Sequence, residues 1–149
     1  MTILDAITPL RGLLLFIVQI GAACFSAYIV SVLLPTPFAV TTTLSKGVSI
    51  AQGLFIEVIC TTELVFTIIM LAKEKHRATF IAPVGIGFAL FLGELIGVYF
   101  TGGSLNPARS LGPAAVARNF SSDDWIYWIG PGLGSLLAVA FYKIFKSLE

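Results

Sequence analysis

Thr101-Gly102-Gly103-Ser104-Leu105-Asn106-Pro107-Ala108-Arg109-Ser110-Leu111-Gly112-Pro113-Ala114-Ala115-Val116-Ala117-Arg118-Asn119-Phe120 is the segment on which the fold turns. It lies between two apolar stretches, yet it opens on paired glycines and carries Asn-Pro-Ala-Arg. Pro107 suits the first position of a helix, where its missing N–H would be unpaired in any case. Asn106 is then the N-cap, its side-chain oxygen accepting a backbone N–H of the first turn. The small and apolar residues 107–118 predict a helix with a rise of roughly 18 Å. A bilayer core is about 30 Å thick. The segment is therefore expected to be a re-entrant half-helix whose N-terminus lies near the membrane centre.

That placement creates a chemical site. With its carbonyl oxygen on the cap, the Asn106 amide keeps two N–H donors, and the first-turn N–H groups and helix dipole add positive potential there. Gly102, Gly103, Ser104 and Leu105 are expected to run extended and to offer a row of carbonyl acceptors. Irregular backbone at membrane depth is tolerated where it is buried in protein or lines a cavity. Donors at the centre, acceptors leading to it and a positive barrier suit a small neutral hydrogen-bonding solute and oppose cations and protons. A turn followed by an interfacial helix would use the same Asn-Pro pair. The apolar flanks, the double glycine and Arg109 favour the pore.

Hydrophobic residues make up 57% of the 149 and charged residues 11%, against about 25% charged in soluble domains. The net charge of +1 comes with no basic block, so no nucleic-acid partner is expected. Cys24 and Cys60 fall inside apolar spans and are expected to be packing residues; no metal-type spacing is present, and no cofactor is expected. No nucleophile–base constellation or phosphate loop appears, so the chain is not expected to be an enzyme. The opening Met-Thr-Ile-Leu-Asp-Ala lacks the basic start of a signal peptide.

Four spans are expected, at about residues 12–34, 47–72, 78–100 and 125–145. The second carries Glu57 and Glu63, expensive in hydrocarbon and so expected to face the protein interior. Glu94 lies inside the third. Gly93 with Gly97 and Gly130 with Gly134 form small-xxx-small pairs that let helices approach closely. His76 sits in the basic connection and is expected to be solvated. Arg11, Lys73, Lys75, Arg77, Lys143 and Lys146 share one side with both chain ends, which places both termini in the cytoplasm. Trp125, Tyr127 and Trp128 suit the outer interface.

Gly102-Gly103-Ser104-Leu105-Asn106-Pro107-Ala108-Arg109-Ser110 resembles the second signature of the aquaporin, or major intrinsic protein, family. Gly53-Leu-Phe-Ile-Glu57 and Trp125-Ile-Tyr-Trp128-Ile-Gly-Pro131 resemble its flanks, and the likeness, which extends to fungal members, covers nearly the whole chain. It implies an all-α membrane protein, a partial aquaporin-like helical bundle of four transmembrane helices plus one half-helix over residues 1–149. Family members have six spans and two such half-helices, so the first two spans and the first half-helix are expected to be missing. The implied function is passive transport of water or another small neutral solute across a lipid bilayer, in a plasma-membrane tetramer. Asn106, Pro107, Ala108, Arg109, Gly102, Gly103 and Ser104 match the pore motif, and Glu57 matches a carboxylate that braces the pore loop. Glycerol-passing relatives usually have Asp where this chain has Ser110, while Ala114 and Tyr127-Trp128 look like the water-selective branch. Arg109 matches the filter arginine. Glu94 stands where water channels often place histidine, and is expected to pair with Arg109.

Other readings share these motifs: a channel for glycerol or similar solutes, a non-conducting subunit that associates with full-length relatives, and a small transporter or membrane enzyme using Glu63 or Glu94. The chain alone is expected not to form a normal water pore. Asn119-Phe120-Ser121 is a glycosylation sequon on the expected outer side.

Overall fold

The computed structural model describes residues 2–74 and 77–148. Lys75 and His76 lie outside the described residues. The described chain is all-helical, and four of its helices are long and apolar enough to cross a bilayer.

Helix α1 spans Pro9–Leu33, with Pro9 in its first turn and the Thr8 hydroxyl accepting the Arg11 N–H at 3.4 Å. It ends at Leu34, which precedes Pro35 and takes the extended conformation that a following proline favours. Helix α2, Ile50–Ile68, starts after a left-handed turn at Gly47. Its start is set by a reciprocal cap, in which the Gln52 N–H donates to the Ser49 hydroxyl (3.2 Å) and the Ser49 N–H to the Gln52 side chain (2.8 Å). It continues as a π-helical turn, Ile69–Lys73. A 3-10 turn, Arg77–Ile81, leads into α3, Ala82–Thr101. Helix α4 is the short Pro107–Ala117, and α5 is Ile126–Leu148.

Helix α2 is the hub. It packs most extensively on α5 and then on α3, while α4 lies against α1. Glycine sets the closeness of two of these contacts. A Cβ on Gly134 would meet the Val58 carbonyl oxygen at 2.6 Å and Thr61 Cβ at 2.8 Å, and one on Gly112 would meet the Ala23 carbonyl oxygen at 2.7 Å. Ile69, Ala138, Val139 and Tyr142 form the buried cluster at the α2–α5 end. At the same end the Tyr142 hydroxyl donates to Glu74, and Lys146 pairs with Glu74 at 3.3 Å. The outer faces of α1 and α3 stay apolar and exposed: Ala27 is the single buried residue of α1.

Two expectations fail here. Glu63 is exposed, in an outer groove with Ile59, Phe66, Leu137 and Phe141. Six residues along a helix turn a side chain about 120° away from its starting face, so Glu57 and Glu63 cannot share the interior. Tyr127 is no interfacial anchor: it is 1% exposed, and its hydroxyl donates to the Thr101 carbonyl at 2.8 Å.

Gly134→Ala is expected to lower the thermal stability of the detergent-solubilised protein by about 1–3 kcal/mol. Gly132→Ala, where an added Cβ meets nothing within 4 Å, should raise it by up to about 1 kcal/mol. Equal shifts would mean that the α2–α5 contact is not glycine-limited. Stability should also depend on pH through Glu74, whose carboxyl is held below its ordinary value by the Tyr142 hydroxyl and then by Lys146. A lowered folded value means the contribution is present above the ordinary glutamate range and lost as pH falls through the folded value. Glu74→Gln should flatten that acid limb in a melting series.

Candidate functional site

The loop between α3 and α4 is held from behind by one carboxylate. Glu57 is fully buried. Its Oε1 accepts the Thr101 hydroxyl at 2.6 Å and the Ser104 N–H at 3.0 Å, and its Oε2 accepts the Leu105 N–H at 2.8 Å. Gly130 of α5 backs the same side chain: a Cβ there would meet Glu57 Cβ at 2.7 Å.

To present those N–H groups the loop turns rather than runs extended. Gly102, Gly103 and Leu105 have φ of 79°, 63° and 52°. Three left-handed residues in four overturn the expected straight row of carbonyls. Glycine takes that conformation freely; Leu105 takes it at a cost of roughly 1–2 kcal/mol, offset by burial of its side chain against α3, where a Cβ on Gly93 would meet it at 2.8 Å.

The loop is held in front by a segment to which the sequence assigned no role. The Thr42 hydroxyl, 5% exposed, donates to Ser110 Oγ at 2.8 Å. Ser110 donates to Ser104 Oγ at 2.6 Å, and Ser104 to the Asn106 carbonyl at 3.1 Å. Nearby, Val40 offers its carbonyl to Arg109 Nη1 at 3.1 Å. Ser45 binds the end of α3 twice, its N–H to the Phe100 carbonyl at 2.9 Å and its hydroxyl to the Tyr99 carbonyl at 2.6 Å. The available signal was the run Thr41-Thr42-Thr43 just after Pro35 and Pro37, too polar for a span and too short for a domain.

Glu94, Ser104, Asn106, Pro107, Ala108 and Arg109 line one cavity of about 690 Å³, with apolar residues such as Phe16 of α1 and Leu64 of α2 also on its wall. Gly102 and Gly103 lie outside that lining. Asn106 caps α4, its Oδ1 accepting the Ala108 N–H at 2.9 Å. The amide donors of this exposed side chain and the positive end of α4 thus meet at the cavity. Glu94 and Arg109 share the cavity, but among the described residues no ion pair joins them. Arg109 is drawn to Val40, and the Glu94 carboxylate lies over Gly103, where any Cβ would collide with it. The chemistry on offer is graded hydrogen bonding: acceptors at Glu94, donors at Asn106 and Arg109. Among the described residues no three His, Cys, Asp or Glu side chains converge on a possible metal position. Asn119 is exposed in the connection between α4 and α5.

Comparisons with known proteins identify the family. Residues 1–142 match the sequence model of a family described as Major intrinsic protein. Over 149 residues, all of this chain, it is 56% identical to Probable aquaporin-5 of Gibberella zeae, of which it covers 27%. It is 58% identical over its full length to Aquaporin-7 of Botryotinia fuckeliana, covering 33% of that protein. It is 53% identical to Aquaporin-1 of the same fungus, covering 32%. The chain thus spans about a third or less of the length of these three relatives.

Replacing Glu57 should separate its hydrogen bonding from its size. Glu57→Gln keeps an acceptor, whereas Glu57→Leu leaves the buried Ser104 and Leu105 N–H groups unpaired at roughly 1–3 kcal/mol each. Melting in detergent should therefore rank wild type above the Gln variant and the Gln variant above the Leu variant. Equal melting of the two variants would show that the loop is held by other contacts.

Proposed function

Because the chain belongs to the major intrinsic protein family, we propose that it forms the Asn106-bearing half of a passive channel for water. The observation that carries this reading is the division of labour at Asn106. Its oxygen is spent on the α4 cap, so its N–H donors face the cavity in a fixed orientation. A water molecule there donates nothing to Asn106 and must accept, with its own hydrogens directed away. The positive end of α4 and the Arg109 guanidinium raise the energy of a cation at the same place. No covalent step is involved.

Selectivity for water over glycerol rests on the family likeness at Ser110. The structure supplies a reason for a small hydroxyl there: Ser110 accepts from Thr42 and donates to Ser104 in a buried chain, which a larger carboxylate would disrupt. Glu94 is the departure from water-channel pattern. Its carboxylate lies over Gly103 and puts an acceptor and a negative group on the cavity wall. By the family likeness, the working assembly is a tetramer in the plasma membrane with both ends of this segment cytoplasmic.

The test is osmotic swelling of vesicles containing a chimera, in which residues 1–149 replace the matching segment of the Gibberella zeae relative. Asn106→Asp keeps a good cap but removes the donors. Water permeability should fall about tenfold, equivalent to about 1.4 kcal/mol on the barrier, with little change in melting. Glu94→His should raise water flux and lower proton leak. Unchanged permeability in the Asp variant would count against the pore assignment of Asn106, and unchanged fluxes in the His variant against that of Glu94.

A further inference from the structure

A second cavity, far from Asn106 in the chain, lies where α2 and α5 end. It measures about 430 Å³ and is formed by the Ile3–Asp5 stretch, Lys73 and the last turns of α5. Three ammonium groups line it, those of Lys73, Lys143 and Lys146, and Ser147 adds a hydroxyl. Lys73 is held in place: its Nζ donates to the Tyr142 hydroxyl at 3.1 Å and lies 4.7 Å from the centre of that ring. An ammonium has three donors, so this bond leaves Lys73 able to bind a ligand. Two carboxylates oppose the lysines. Asp5 is on the cavity wall, and Glu74 is engaged by Tyr142 and Lys146. Among the described residues, three lysines thus stand against two carboxylates. The carbonyl end of α5 disfavours an anion, so the lysines must carry the binding.

The position names the ligand. Lys73 closes the span Ile50–Lys73, and Lys143 and Lys146 fall in the last turns of the span Ile126–Leu148. The cavity therefore sits at the level of lipid headgroups. Ile3, 54% exposed, and Leu4 give the cavity an apolar flank. We propose that this cavity binds the phosphorylated headgroup of an anionic membrane lipid. Basic pockets between membrane helices favour such headgroups, and the apolar flank suits a lipid better than a free phosphate. The proposal rests on the membrane-spanning arrangement and is independent of which solute the channel passes.

The test is thermal unfolding of the purified chain in neutral detergent, titrated with a short-chain phosphatidylinositol bisphosphate. A saturable rise in melting temperature is expected. Short-chain phosphatidylcholine should give none, and inositol trisphosphate a weaker effect than the lipid at equal concentration. Lys143→Gln, an exposed change, should weaken the apparent affinity roughly fivefold, and Asp5→Asn should strengthen it by a similar factor. A rise with phosphatidylcholine equal to that with the phosphorylated lipid would overturn the proposal, as would an affinity unmoved by either substitution. Equal effects of trisphosphate and lipid would overturn the lipid assignment in favour of a free polyphosphate.

Discussion

One buried carboxylate organises the centre of this molecule. Glu57 reaches from α2 to the loop after α3 and takes three hydrogen bonds there. Taking a carboxylate out of water costs several kcal/mol, and hydrogen bonds to a charged acceptor contribute about 1.5–3 kcal/mol each. The exchange is favourable only when all three donors are in place. The loop, the end of α3 and the glycine face of α5 must therefore assemble together around Glu57. Tyr127 joins the same assembly through the Thr101 carbonyl, which is why an aromatic of interfacial character ends up inside.

The loop that results is turned tightly and tied on both sides. Behind it stands Glu57; in front, Thr42 and Val40 hold Ser110 and Arg109. Asn106 is left between these ties with its side chain open to the cavity. Its orientation is set by bonds that run through α2, α4 and the segment after α1, which satisfy the irregular backbone between two long apolar helices.

Local rules sufficed for part of this. The start of α4 at Asn106–Pro107 follows from capping and proline chemistry within three residues, and four long helices follow from hydropathy. Glu57 could be singled out as a charge in an apolar span, but not given its donors by spacing, since they lie 44 to 48 residues away. The glycines at Gly102 and Gly103 license both an extended and a left-handed path, and only the demand of Glu57 for two backbone N–H groups decides between them. Glu63 was misplaced because the cost of a charge in hydrocarbon was weighed without the helical phase relative to Glu57. Thr42 and Tyr127 act through contacts 68 and 26 residues distant, beyond any motif.

The buried row Thr42, Ser110, Ser104 has a consequence for how such a sequence can change over time. Each hydroxyl spends its single proton on the next, and the last spends it on the Asn106 carbonyl. Position 110 is thus held in common by two other segments of chain. Substitutions within such a network are not additive. A lineage that altered position 110 alone would take the acceptor from the Thr42 hydroxyl and the donor from Ser104 Oγ, so a new residue there is better tolerated after, or together with, changes at 42 and 104. Historical contingency at this site is written in the order of three protons.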